Sequence, residues 1–205
     1  MDWMKQLDEL KGSALKEMAN VGISHVATAI GEISREKIDI SLPELEAFSK
    51  EQLVHAARED SGTVAAYLKV DGISDCTETL LLISKKDAFG LMDKFVNAEN
   101  FKKVNTETLS LDEQKSIFAE VSTVIVATYF SAVESMFNLK THYGVPTVSL
   151  GNGECSGFID RTIQCSDGFS VKVSFSSQES KFFGSFLLIP DPHTVDTFFK
   201  MIGLS

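Results

Sequence analysis

Apolar side chains in the first segment, Met4, Leu7, Leu10, Ala14, Met18, Val21, Val26, Ala29 and Ile33, recur mostly three or four residues apart. That is the period of one helix face. Gly12 is a candidate kink within it. Residues 37–42 then alternate strictly between polar and apolar and predict a half-buried strand ending at Pro43. Residues 50–57 predict a helix, and residues 63–70 and 78–83 two further strands. Ser84 with Asp87 forms an N-cap signature for a helix carrying Phe89, Leu91, Met92 and Phe95. The second half opens on a capping box, Ser110-Leu111-Asp112-Glu113, before an apolar stripe of Ile117, Val121, Val124, Thr128, Ala132 and Val133. Strands follow at residues 147–150, 171–175 and 185–189. Asp191-Pro192 supplies an N-cap and N1 proline for a last helix with Val195, Phe198, Phe199 and Met201, stopped by Gly203.

The order helix, three strands, helix therefore occurs twice, and Leu81-Leu82-Ile83 and Leu187-Leu188-Ile189 precede the two closing helices. This reads as an internal duplication. A single domain over residues 1–205 is expected, built from repeats at about 10–97 and 110–203. The join at residues 97–108 is too short and too ordinary for a flexible linker, so the halves should share one core. The expected fold is α/β of the α+β kind, with a pseudo-two-fold: two long helices side by side on a largely antiparallel continuous sheet, with smaller helices flanking.

Composition narrows the function. With 43% hydrophobic and 23% charged residues the chain reads as globular rather than disordered. Nineteen basic against 29 acidic residues give a net charge of −10, which argues against nucleic acid or an anionic membrane as the main partner. The amino terminus lacks a secretory h-region. The longest uncharged apolar-rich stretch is the 13 residues between Glu120 and Glu134, short of the roughly 20 that cross a bilayer. A cytoplasmic protein is expected. Cys76, Cys155 and Cys165 are odd in number, widely spaced and read as reduced thiols. His25, His55, His142 and His193 share no helical face, so no metal site is expected. Gly151-Asn152-Gly153 lacks the context of a phosphate loop and reads as a turn.

On the first helix a second line runs beside the apolar one: Ser13, Glu17, Asn20 and Ser24, in steps of four, three and four. A helix fixes the separation of a carboxylate and a carboxamide better than a loop would, so such a pair suits positioning chemistry. A polar stripe is usually a solvated face. Here, however, Ser116, Glu120 and Pro146 repeat Ser13, Glu17 and Pro43, all at an offset of 103 residues. Thr123 stands where Asn20 stands in the first half.

The spacing Ser13, Glu17, Asn20 and a distant Pro43 resembles the signature of the CheC/CheX/FliY family of chemotaxis phosphatases, and the duplicated architecture extends the resemblance over nearly the whole chain. The resemblance implies hydrolysis of the aspartyl phosphate on a CheY-like response regulator. That regulator would bring its own Mg²⁺, so no cofactor is expected on this chain. By resemblance Asn20 orients the attacking water, Glu17 contacts the regulator's active-site lysine, and Ser13 and Pro43 support them. Thr123 lacks the carboxamide and is stiff at χ1. The second set, Ser116, Glu120, Thr123 and Pro146, is therefore expected to be impaired or to dock only. After Pro146, residues 147–155 contain two glycines and no helical period, whereas CheC carries there a helix that binds CheD; this speaks against a CheD partner. Two rivals compete: a non-enzymatic module that binds or sequesters the phosphorylated regulator or another chemotaxis protein, and a FliY-like switch component. The second is disfavoured because no extra switch domain follows to Ser205.

Overall fold

The computed structural model describes residues 9–60, 62–72, 77–98, 103–177 and 183–204. Met4, Leu7 and Cys76 lie outside these, as do residues 99–102 of the join between the repeats. Helix α1 spans Glu9–Ser34 and runs through Gly12 unbroken. Helix α4, Leu111–Phe137, starts on the expected capping box: the Glu113 N–H donates to Ser110 Oγ, and the Ser110 N–H to the Glu113 carboxylate. It ends at Asn138 in the left-handed region, φ 51°. Ser84 caps α3, Lys85–Asn97, and Asp191 with Pro192 opens α6, Pro192–Met201. These local signals were sufficient because each cap satisfies end N–H groups that the helix itself leaves unpaired.

The sheet holds eight strands: β1 Ile38–Ile40, β2 Glu44–Ser49, β3 Thr63–Asp71, β4 Thr77–Ser84, β5 His142–Tyr143, β6 Thr147–Ser149, β7 Asp167–Ser177 and β8 Phe183–Pro190. Their order is β1-β7-β8-β4-β3-β5, with β2 also on β7 and β6 also on β3. Every pairing is antiparallel. The first repeat's short strands β1 and β2 pair with the second repeat's β7, and β5 and β6 pair with β3 of the first. The halves are thus interlaced, and β4 and β8 meet at the centre of the sheet.

Side chains alternate between the two sheet faces. Val64, Ala66, Leu68 and Val70 of β3 join the larger core under α1 and α4. Ala65 and Tyr67 join a smaller core on the other face, with Val54 of α2, Lys50–Glu59, and Phe158 and Ile159 of α5, Cys155–Thr162. Each repeat accordingly reads helix, two short strands, helix, two strands, helix, which corrects the three-strand unit read from the sequence. Strand β2 was missed because as an edge strand it exposes three of its six side chains and buries only Phe48. Helix α5 was missed because its eight residues bury only Cys155, Phe158 and Ile159, too few to display a period. The run after Pro146 is strand and turn, as read, but the helix starts directly after it, so the sequence ground for discounting a CheD-like partner is weakened.

The buried stripes also differ from those read by periodicity. On α1 the buried residues are Leu15, Ala19, Gly22, Ile23, Val26 and Ile30, while Leu10 is 61% exposed. On α4, Phe118, Ile125, Val126, Tyr129 and Phe130 are buried, and Ile117, Val124 and Thr128 are only half-buried. Each long helix packs on the sheet and on the other helix, so its buried arc is wider than one stripe and turned away from the line first chosen. Helix α4 is long and apolar enough to cross a membrane by length and composition, and half of its apolar window is buried in the core.

Gly22 sets the approach of the two helices. A Cβ there would be driven into the Tyr129 ring, which is itself 1% exposed and stacked on Phe186 at 5.5 Å. Alanine favours the helix by about 1 kcal/mol over glycine, but the Tyr129 ring is buried and must shift to make room, and overpacking typically costs ~1–3 kcal/mol. Gly22→Ala is expected to lower the thermal midpoint by roughly 2–8 °C, measured by calorimetry. An unchanged or raised midpoint would show that the helices shift without penalty.

Candidate functional site

The polar stripe of α1 faces outward. Ser13, Glu17 and Ser24 are exposed and Asn20 is half-buried. The two serines are committed to the helix: Ser13 Oγ donates to the Glu9 carbonyl at 2.8 Å and Ser24 Oγ to the Asn20 carbonyl at 2.7 Å. Neither the Glu17 carboxylate nor the Asn20 carboxamide makes a hydrogen bond or ion pair among the described residues. A half-buried amide costs free energy unless water or a ligand satisfies it. Asn20 therefore presents a donor and an acceptor, one helical turn from a free carboxylate.

Pro43 is buried and lies between β1 and β2. Three residues separate Ile40 from Glu44, where two separate their partners Phe175 and Lys172 on β7. The extra residue makes a bulge, a place where an edge strand tolerates proline. Pro146 sits in the same irregularity of the other edge. Three residues lie between Tyr143 and Thr147, and two between their partners Val70 and Tyr67 on β3. Pro43 and Pro146 thus interrupt equivalent edge strands rather than end single strands.

The first bulge lies alongside the middle of α1. Gly12 near the start of the helix faces Leu45, and Gly31 near its end faces Ile38, so the β1–β2 edge runs antiparallel to α1. From Leu45 back to Leu42 the strand advances about 10 Å, and from Gly12 to Asn20 the helix advances about 12 Å. The bulge therefore lies along the stretch of α1 between Gly12 and Gly31 that contains Asn20.

The second stripe has the same exposure. Ser116 and Glu120 are exposed, and Thr123 is half-buried. Glu120 makes no hydrogen bond or ion pair among the described residues. Thr123 differs from Asn20 in more than size: its Oγ1 donates to the Ala119 carbonyl at 2.8 Å, so its only donor is used inside the helix. Between the helices runs a shallow groove lined by Val21 and His25 of α1 and by Val124, Thr128, Ala132 and Met136 of α4. Val21 and Val124, and His25 and Thr128, are again 103 residues apart.

The remaining candidate nucleophiles are poorly suited to chemistry. Burial, and then the negative charge of Asp60, pushes the Cys155 thiol up to about 11. Burial, then the Glu78 carboxylate, also raises Cys165. Both thiols stay protonated at neutral pH, and the thiolate is the reactive form. Two further features escaped sequence reading. One is the buried carboxylate of Glu78; the other is the exposure of Leu42 and Val145, each immediately before one of the paired prolines.

No protein-family model matches the chain. The CheY-P phosphatase CheC of Bacillus subtilis (strain 168) is 23% identical to it over 205 residues, 93% of either protein. The crystal structure of Thermotoga maritima FliY superimposes with a TM-score of 0.67 at 15% identity, over 97% of this chain and 99% of that one. The chain resembles the CheC/CheX/FliY family, and CheC in particular, over nearly its whole length. Its antiparallel, duplicated architecture is that of CheC-like folds. The fold extends further, because the FliM middle domain from H. pylori superimposes on this CheC-like chain with a TM-score of 0.65 at 8% identity, over 95% of this chain and 99% of that one.

Proposed function

We propose that this CheC-like protein hydrolyses the aspartyl phosphate of a CheY-like response regulator at the face formed by Glu17 and Asn20. The observation that carries the reading is the uncommitted, half-buried Asn20 carboxamide beside the free Glu17 carboxylate. In this reaction a water attacks phosphorus in line with the acyl-phosphate bond. The bond from phosphorus to the aspartyl oxygen breaks, and the regulator's carboxylate and inorganic phosphate leave, with the water's proton passing to phosphate or solvent. Such a transfer needs positioning and charge stabilisation more than covalent participation by the protein. Asn20 holds the water through its amide without placing a negative charge beside the phosphoryl group. Glu17 fixes the docking geometry against a cationic side chain of the regulator, its active-site lysine. Ser13 supports the helix, and Pro43 shapes the adjacent edge. The Mg²⁺ in this reading belongs to the regulator.

A second reading, docking without hydrolysis, is favoured by Thr123, since the second face keeps Glu120 and its bulge but has lost the free amide. The fold does not decide between the two, being shared with a FliM middle domain. A CheY-like regulator phosphorylated with acetyl phosphate in the presence of Mg²⁺ separates them. Accelerated phosphate release at catalytic amounts of this chain is expected. Binding without acceleration would establish the docking module, and neither binding nor acceleration would reject both.

A further inference from the structure

Leu42 and Val145 are the most exposed of the large hydrophobic residues described, at 81% and 90%. Single exposed apolar side chains are common and need no explanation. These two are distinguished by position. They are 103 residues apart, each directly precedes the proline of an edge-strand bulge, and the register of the two bulges is the same. The bulge that carries Leu42 lies between the edge's contacts with Gly12 and Gly31 of α1, the stretch of helix that includes Glu17 and Asn20. The groove between α1 and α4 begins beside the same stripe at Val21. Leu42 therefore adds an apolar projection to a surface that otherwise offers a carboxylate and an amide. Charged and amide groups orient a partner, whereas an apolar side chain entering a pocket supplies the anchor that an interface needs at its centre.

We infer that Leu42 is an apolar docking contact for the regulator, and that Val145 is the corresponding contact of the second face beside Glu120. This rests on the phosphatase reading above and adds to it the residue that sets affinity. Because both side chains are solvated in the free chain, their replacement does not disturb the core.

The test uses a CheY-like regulator activated with beryllium fluoride and Mg²⁺ for binding, and the phosphorylated regulator for turnover. Leu42→Ser is expected to raise the KM for the phosphorylated regulator roughly ten- to hundredfold, the loss of one buried leucine contact, with kcat within about twofold. Leu42→Met should restore KM to within about threefold. In calorimetric titration the wild type should take up two equivalents of activated regulator, and Leu42→Ser and Val145→Ser one each. Thermal midpoints within about 1 °C of wild type would show that the variants fold. A KM within twofold of wild type for folded Leu42→Ser would overturn the assignment of Leu42. A wild-type titration that saturates at one equivalent would overturn that of Val145. Should Asn20→Ala leave phosphate release unchanged, the fault would lie in the phosphatase reading itself; normal loss in Asn20→Ala with no effect of Leu42→Ser would condemn only the anchor.

Discussion

Replacing Asn20 with alanine should slow phosphate release from the phosphorylated regulator by roughly 10²–10³-fold, the loss expected for one positioning group at a developing charge. The size follows from what the side chain is free to do. The Asn20 carboxamide makes no hydrogen bond among the described residues, so its removal strands no internal partner and leaves no strained core. Alanine also has the better helix propensity, and α1 should be at least as stable in the variant. The loss should therefore fall on kcat, with the thermal midpoint unchanged or slightly raised. The reverse experiment uses the second face. Thr123→Asn replaces a hydroxyl tied to the Ala119 carbonyl with an amide that reaches past the helix backbone, beside a Glu120 and a Pro146 bulge already in place. Total phosphate release per chain is expected to rise by up to about twofold if the second face then matches the first. Stopped-flow phosphate detection on both variants reads the two effects. An Asn20→Ala enzyme with wild-type kcat would remove Asn20 from the mechanism.

The duplication was legible because an offset of 103 survives in motif residues and prolines, which are local features that need no knowledge of what packs where. The motif stripe was legible for the same reason, since steps of three and four place Glu17 and Asn20 on one helix face whatever lies underneath. The interlacing was not. Residues 38–40 and 44–49 show nothing in their own pattern to say that they pair with β7, 118 to 139 residues away, rather than with the neighbouring β3. That pairing is a long-range choice made by the whole sheet. The buried face of α1 was misplaced because Leu10 fits the helical period yet is exposed, while Ala19 and Gly22 carry little hydrophobic signal yet sit at the tightest packing. Small residues at a close helix crossing are invisible to a count of apolar bulk. The difference between Asn20 and Thr123 was visible as chemistry; the commitment of the Thr123 hydroxyl to its own helix was visible only as geometry.

Glu78→Ala should be among the most destabilising single changes in the chain, at about 2–4 kcal/mol. Glu78 sits on the central strand β4, 5% exposed. It accepts from the Tyr67 hydroxyl at 2.8 Å, the Gln164 N–H at 2.8 Å and the Cys165 N–H at 2.9 Å. One carboxylate thus ties the chain leaving α5 to the sheet across 86 residues of sequence. A charge held by three donors is a tolerable burial, but removing the acceptor leaves all three donors to find water at the edge of the smaller core. Gln164 is near the surface, which lets water relieve part of the loss and keeps the figure below the sum of three fully buried donors. The expected fall in thermal midpoint is roughly 4–16 °C. Amide exchange at Gln164 and Cys165 should quicken before the rest of the sheet opens. Glu78→Gln keeps one acceptor but turns an NH₂ toward an N–H, so it should lie between alanine and wild type. The effect should spare kcat in the surviving folded fraction, because Glu78 serves the α2–α5 face of the sheet while Asn20 lies over the other. A Glu78→Ala chain that keeps its midpoint would mean that the α5 turn is held by its apolar contacts, Ile159 and Ile163, and that the carboxylate is tolerated there rather than required.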